Sequence, residues 1–324
     1  MIRGVPWSLV FFLLTLSVHP ASAGLPANDG WEAVSTRQVT VRYRSGSGPL
    51  AAQVLEQAEF FLKETSVFLG LQPEKSYTIV IAGSREEFED LQPGRAPAPE
   101  WAGALTYHSL GLVLILSPGS LQTGGPRYWS LLRHEMVHLL IGDAELKAGT
   151  RLPRWFQEGV ATYISGEMNL SRLLHLGWAQ VTGSAPAFEE LERNFPKGAG
   201  LAEAAYARSF LFIRYLTRRF GDGAVAQLVE ASLAHGGMEE GARIVFGMPL
   251  ADILKGFDQY ARVKATWIPF IASSASVWGM ITLLFLLTWY RKRVLGLRTL
   301  EKWNLEEEEM EEKTRQHDKK HTLH

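Results

Sequence analysis

The 324 residues include no cysteine, which excludes disulfides as a source of stability and leaves no lipid-attachment site near the N-terminus. An excess of either charge is also lacking, with 33 Lys and Arg against 34 Asp and Glu and a net charge of −1. With no basic concentration between residues 24 and 266, nucleic acid is excluded as the partner. Internal repeats are absent, and no long low-complexity segment occurs before the C-terminal tail. Long apolar runs are few: one lies at each end of the chain.

The N-terminal run follows Met1, Ile2 and Arg3, extends from Leu9 to Val18 and ends at Ala21-Ser22-Ala23. This is the pattern of a secretory signal peptide, expected to cover residues 1–23. The second run, Trp267 to Tyr290, carries no charged residue and is followed by Arg291, Lys292, Arg293 and Arg298. Its length and basic flank predict one transmembrane helix over 267–290, with residues 291–324 as a cytoplasmic charged tail. Residues 24–266 are then an extracytoplasmic domain anchored to a cell membrane, periplasmic or extracellular. The absence of cysteine suits a bacterial envelope. Asn169-Leu170-Ser171 has the form of a glycosylation acceptor, relevant only in a eukaryotic secretory route. In the tail, Glu306 to Glu309, Glu311 and Glu312 precede Lys313 and Arg315, a solvated surface or a place for a cytoplasmic partner.

Between the two runs the pattern changes once. Val39, Val41 and Tyr43 alternate as in a strand, Val54, Ala58, Phe61 and Leu62 follow helical spacing, and Tyr77–Ile81 and Leu112–Leu116 read as strands. From Tyr128 onward helical periodicity persists, through stretches near 128–141, 153–165, 187–194, 203–220, 224–234 and 250–264. The expected fold class is α+β, with an N-terminal mixed α/β part and a C-terminal α-helical part. The proline-bearing stretch Gln92 to Glu100 reads as a surface loop.

His134-Glu135-Met136-Val137-His138 is an H-E-x-x-H run inside an apolar helical pattern. Four residues is about one turn, so both imidazoles point the same way and can reach one Zn²⁺, with Glu135 beside the water that the metal activates. A catalytic zinc site needs a third protein ligand and an open position. Glu158 is the candidate: it sits in a second apolar helix among Trp155, Phe156, Val160, Ala161 and Ile164, where desolvation of a carboxylate calls for a neutralising cation.

HEMVH followed by WFQEG resembles the gluzincin metallopeptidases and is most similar to the bacterial peptidase MA-like domains. The resemblance spans roughly Val39 to Phe257 and implies a zincin-like domain. It implies His134, His138 and Glu158 as zinc ligands, Glu135 as general base and a peptide or protein as substrate. Ala205-Tyr206-Ala207-Arg208-Ser209 resembles the segment that supplies an oxyanion donor, which makes Tyr206 catalytic. The competing expectation is an aromatic that packs along its helix with Phe210 and Ile213; His108 and His175 are weaker candidates for the donor. Thermolysin-like members carry an acid one turn beyond the third ligand, and Thr162 stands there instead. That departure makes a catalytically inactive gluzincin-fold binding or sensor module, tethered to the membrane, the alternative function. Trp101–Leu105 with Gly111–Leu116 is expected, by fold analogy, to provide a sheet edge for an extended substrate. The run that grips a free α-amine in the aminopeptidase group is not evident, so endo- and exopeptidase action both stay open.

Overall fold

The structure is a computed structural model that describes residues 30–95, 98, 102–122, 125–193, 195–196, 199–264, 277–295, 303 and 310. The expected signal peptide, residues 1–23, lies outside them. The chain divides into two compact units, Met1–Pro269 and Phe270–His324.

In the first unit all described strands precede residue 117. β1 (Trp31–Ser35) and β2 (Val39–Arg44) form an antiparallel pair, α1 (Gly48–Leu69) follows, and β3 (Tyr77–Ala82) runs parallel to β2. After α2 (Arg85–Asp90) come β4 (Ala104–Tyr107) and β5 (Leu112–Leu116). β5 inserts parallel to β3 and leaves β4 antiparallel at the edge, in the order β1-β2-β3-β5-β4. The apolar run Leu112-Val113-Leu114-Ile115-Leu116 is buried throughout, as an interior strand covered on both faces requires. Its alternation divides the core: Val113 and Ile115 join the large helical cluster, whereas Leu112, Leu114 and Leu116 pack with Phe88, Leu105 and Tyr107 on the opposite face. Of the sequence expected to form an edge, Trp101 lies outside the described residues and β5 is internal; the edge is β4.

Helices then take over: α3 (Pro118–Leu121), α4 (Gly125–Ala148), α5 (Arg154–Ser165), α6 (Leu170–Val181), α7 (Phe188–Arg193), α8 (Ala199–Phe220), α9 (Ala224–Ala234), α10 (Met238–Phe246) and α11 (Leu250–Arg262). Helix α4 is the central one. Every residue from His134 to Asp143 is buried, because the sheet covers one side and α1, α5 and α9 cover others. Its orientation is fixed late in the helix by Asp143, which accepts the Tyr77 hydroxyl at 3.0 Å and pairs with Lys75 at 2.8 Å.

Besides the short α3, two helices escape the sequence pattern, α6 and α10. Helix α6 buries Leu176 and Ala179 but exposes Leu170, Leu174, Trp178 and Val181, so its apolar residues run round the axis and blur the 3.6-residue period. Asn169, readable as a glycosylation acceptor, is the N-cap of α6: its side chain accepts the Arg172 N–H at 3.0 Å.

The expected membrane span is overturned. Among the described residues no helix is long and apolar enough to cross a membrane. Within the second unit a helix is described over 277–295, and residues 267–276 of the expected span lie outside the description. The uncharged part of that helix ends at Tyr290, before Arg291-Lys292-Arg293. At about 1.5 Å per residue it reaches roughly 21 Å, short of about 30 Å of hydrocarbon. A charge-free sequence window was thus longer than the described apolar helix within it. Most of the charged tail also lies outside the described residues.

Helices α5 and α8 are in tight contact at Gly159, where an added Cβ would lie 2.6 Å from the Ser209 carbonyl oxygen. Backbone on the far side leaves no soft atom to yield. Gly159→Ala should therefore destabilise the fold by about 1–3 kcal/mol, measured by denaturant unfolding; an unchanged midpoint would mean that the helices separate without cost.

Candidate metal centre

Each donor of the predicted metal group is delivered by a separate local rule. His134 and His138 lie one turn apart on α4 and both turn towards α5. The N-terminus of α5 is set by Pro153, whose fixed φ suits a helix start, and Glu158 lies in its second turn. Gly159 lets α8 press on α5 from behind, so that Glu158 faces α4.

The three ligand atoms converge. His134 Nε2 and His138 Nε2 are 3.1 Å apart, and Glu158 Oε2 is 3.5 Å from the first and 3.6 Å from the second. Donors about 2.0–2.2 Å from a tetrahedral ion are separated by about 3.4 Å, so these side chains fit one metal ion. Their exposures are 0%, 5% and 1%, and neither oxygen of Glu158 has a hydrogen-bond partner among the described residues. Arg154 Nε stands 3.5 Å from Glu158 Oε1. Burial alone would raise the Glu158 pKa, but the two imidazoles and Arg154 hold it well below the ordinary carboxylate range. Among the described residues, His134, His138 and Glu158 form the group able to hold a metal ion.

Glu135 is 2% exposed, and its Oε2 accepts the Thr106 hydroxyl at 2.7 Å. Thr106 comes from the edge strand β4 and shares the α4-facing side with Ala104. Burial raises the Glu135 pKa, partly offset by the charges of His134 and His138 and by the Thr106 bond. A raised carboxylate pKa improves proton uptake near neutral pH. Nothing in the sequence around Thr106 pointed to this contact, which joins residues 29 apart.

Tyr206 is fully buried on α8, with its ring 5.0 Å from Phe195 and its hydroxyl lacking a hydrogen-bond partner among the described residues. Burial raises its pKa well above the ordinary tyrosine value, with Glu158 the strongest charge acting in the same direction. The phenol therefore stays protonated, as a donor must. His108 reaches the centre from the turn after β4. It lines a cleft of about 330 Å³ with His138, Glu158, Glu145, Arg151 and Arg154. Gly142, one turn beyond His138, gives it room, because a Cβ there would fall 2.4 Å from that of His108. Burial, followed by Arg151 and His138, lowers the His108 pKa and keeps the ring neutral. His175 is not among these residues; its Nδ1 meets the Ser171 carbonyl at 2.8 Å within α6.

Thr162 does not support a metal-binding imidazole. It is buried and its hydroxyl has no hydrogen-bond partner among the described residues. A carboxylate arrives from a different position: Gly166 ends α5 in the left-handed conformation, at φ 72°, and the reversed chain places Glu167 Oε2 3.2 Å from His134 Nδ1. The sequence signal for this was the glycine stop followed directly by an acid.

An H-E-x-x-H helix whose imidazoles meet a carboxylate from the next helix, beside the edge of a mixed sheet, is the arrangement of a gluzincin-like domain. The Peptidase MA superfamily model matches residues 61–263, and the chain belongs to that superfamily. No curated protein matches the chain at a significant level.

Metal binding must displace a proton here. Burial opposes charge on His134, but Glu167 and Glu158 outweigh it and push the imidazole pKa up to about 10. Affinity for a divalent transition metal should therefore weaken as pH falls from about 8 to 6, with proton release on binding. Calorimetric titration in buffers of different ionisation enthalpy measures this; binding without proton release would show that His134 accepts the metal already neutral.

Proposed function

We propose that the chain is a zinc-dependent metallopeptidase that hydrolyses peptide bonds. The observation that carries this reading is the convergence of three buried donors with a fourth side chain, Glu135, held beside them by Thr106. Two imidazoles and one carboxylate suit zinc in a site that leaves a position open. Zinc so held supplies Lewis acidity, which acidifies water and polarises a carbonyl.

In this reading His134, His138 and Glu158 hold the ion. Glu135 accepts a proton from the attacking water and passes it to the leaving amine, a return that its buried, proton-retaining environment favours. Tyr206, protonated and without a competing partner among the described residues, donates to the oxyanion that develops on the scissile carbonyl. The edge strand β4 offers backbone groups to an extended peptide, and because Thr106 lies on it, substrate alignment and base orientation share one element. The signal-like pattern of residues 1–23 supports action outside the cytoplasm. Glu167 beside His134 offers a carboxylate where Thr162 does not, which supports the active reading over an inactive binding module.

The test is metal content and hydrolysis together on the purified protein. Wild type should hold about one zinc per chain and cleave a mixed peptide library. His138→Ala and Glu158→Ala should lose the metal, and Glu135→Gln should keep it while turnover falls at least about 100-fold. Wild-type protein that takes up no zinc, or a Glu135→Gln variant that cleaves normally, would refute the proposed chemistry.

A further inference from the structure

Behind the metal group lies a chain of buried charges with no part in bond cleavage. Arg172 of α6 is 4% exposed. Its Nε donates to Glu203 Oε2 of α8 at 2.7 Å, its Nη1 donates to the Glu167 carbonyl at 3.2 Å, and the same Nη1 is 3.6 Å from Glu167 Oε2. That carboxylate oxygen is the one 3.2 Å from His134 Nδ1. The guanidinium also stands over the Tyr206 ring at 5.1 Å, and Glu203 and Tyr206, three positions apart, share a face of α8.

We propose that Arg172 is a positioning residue, locked by Glu203, that fixes Glu167 against His134 and so orients that imidazole towards the metal. The inference rests on the metal-binding reading of His134. A buried arginine and two buried carboxylates cost desolvation energy that apolar residues of similar size would avoid. A structural tie between α6 and α8 would need only the Arg172–Glu203 pair. The second engagement, with both the backbone and the carboxylate of Glu167, holds a residue that follows a helix stop and lacks helical constraint of its own. Glu167 oriented in this way fixes the tautomer in which His134 Nδ1 carries the proton and Nε2 faces the metal.

The experiment uses the full-length protein, with zinc affinity measured by competition with a chromophoric chelator. Proton NMR of the His134 Nδ1–H on zinc-free protein supplies a readout independent of the metal. Arg172→Met should raise the zinc dissociation constant about 10- to 100-fold and shift the Nδ1–H resonance upfield while the circular dichroism stays native. Arg172→Lys, which keeps the charge, should restore part of both. If Arg172→Met fails to fold, Glu203→Gln decides: it retains an acceptor for Arg172 and should weaken zinc in the same direction by a smaller factor. Native spectra with wild-type zinc affinity and an unmoved Nδ1–H in the folded variant would overturn the proposal, reducing the network to a structural tie. Wild-type protein that binds no zinc, yet whose Nδ1–H depends on Arg172, would sink the peptidase reading and sustain the positioning role.

Discussion

Glu158 is a carboxylate with almost no access to water and, among the described residues, no hydrogen-bond donor. A charge so placed carries a penalty of several kcal/mol unless cations or metal ligation compensate it. Here the compensation comes from two imidazoles on α4 and from Arg154 one turn away on α5. The two helices must therefore lie within reach of each other over a short stretch. Asp143 holds α4 to β3, Pro153 starts α5, and Gly159 lets α8 back α5 closely enough to keep Glu158 pointed inward.

Around that pair the supports come from three directions. Thr106 reaches Glu135 from the edge of the sheet, Glu167 reaches His134 from the turn after α5, and Arg172 reaches Glu167 from α6. Thr106 and Glu167 each act on one residue of the centre, and Arg172 acts through Glu167. Catalytic side chains need rotamers held to fractions of an ångström, and buried hydrogen bonds to rigid elements provide that more firmly than loops do. The left-handed Gly166 is the exception: only a residue without a Cβ reverses the chain there cheaply, and the reversal returns an acid to the back of His134.

The cleft beside the centre has mixed charge. Arg151 and Arg154 line it, and Glu145, pushed up to about 7 by burial against the pull of the Leu152 N–H and Arg151, lines it too. Glu145 accepts the Leu152 N–H at 2.6 Å and the Gln157 side-chain amide at 2.9 Å. Its carboxylate therefore shapes the connection between α4 and α5, the segment that brings Glu158 back to the histidines.

His134, Glu135, His138 and Glu158 were legible in the sequence because their information is local: a four-residue spacing puts two rings on one side of a helix, and an acid amid apolar neighbours advertises a compensated charge. The α6 helix was not legible, since apolar residues on both its faces erase the period. The expected membrane span was an overreading, because freedom from charge measures composition, and among the described residues no helix is long and apolar enough to cross a membrane. Thr106 and Arg172 carry no such local mark, and Glu167 carries only the glycine stop before it. Their partners lie on other elements, or across a reversal set by one backbone angle, and only the packing of strand, turn and helix around α4 decided which oxygen and which guanidinium the metal group would meet.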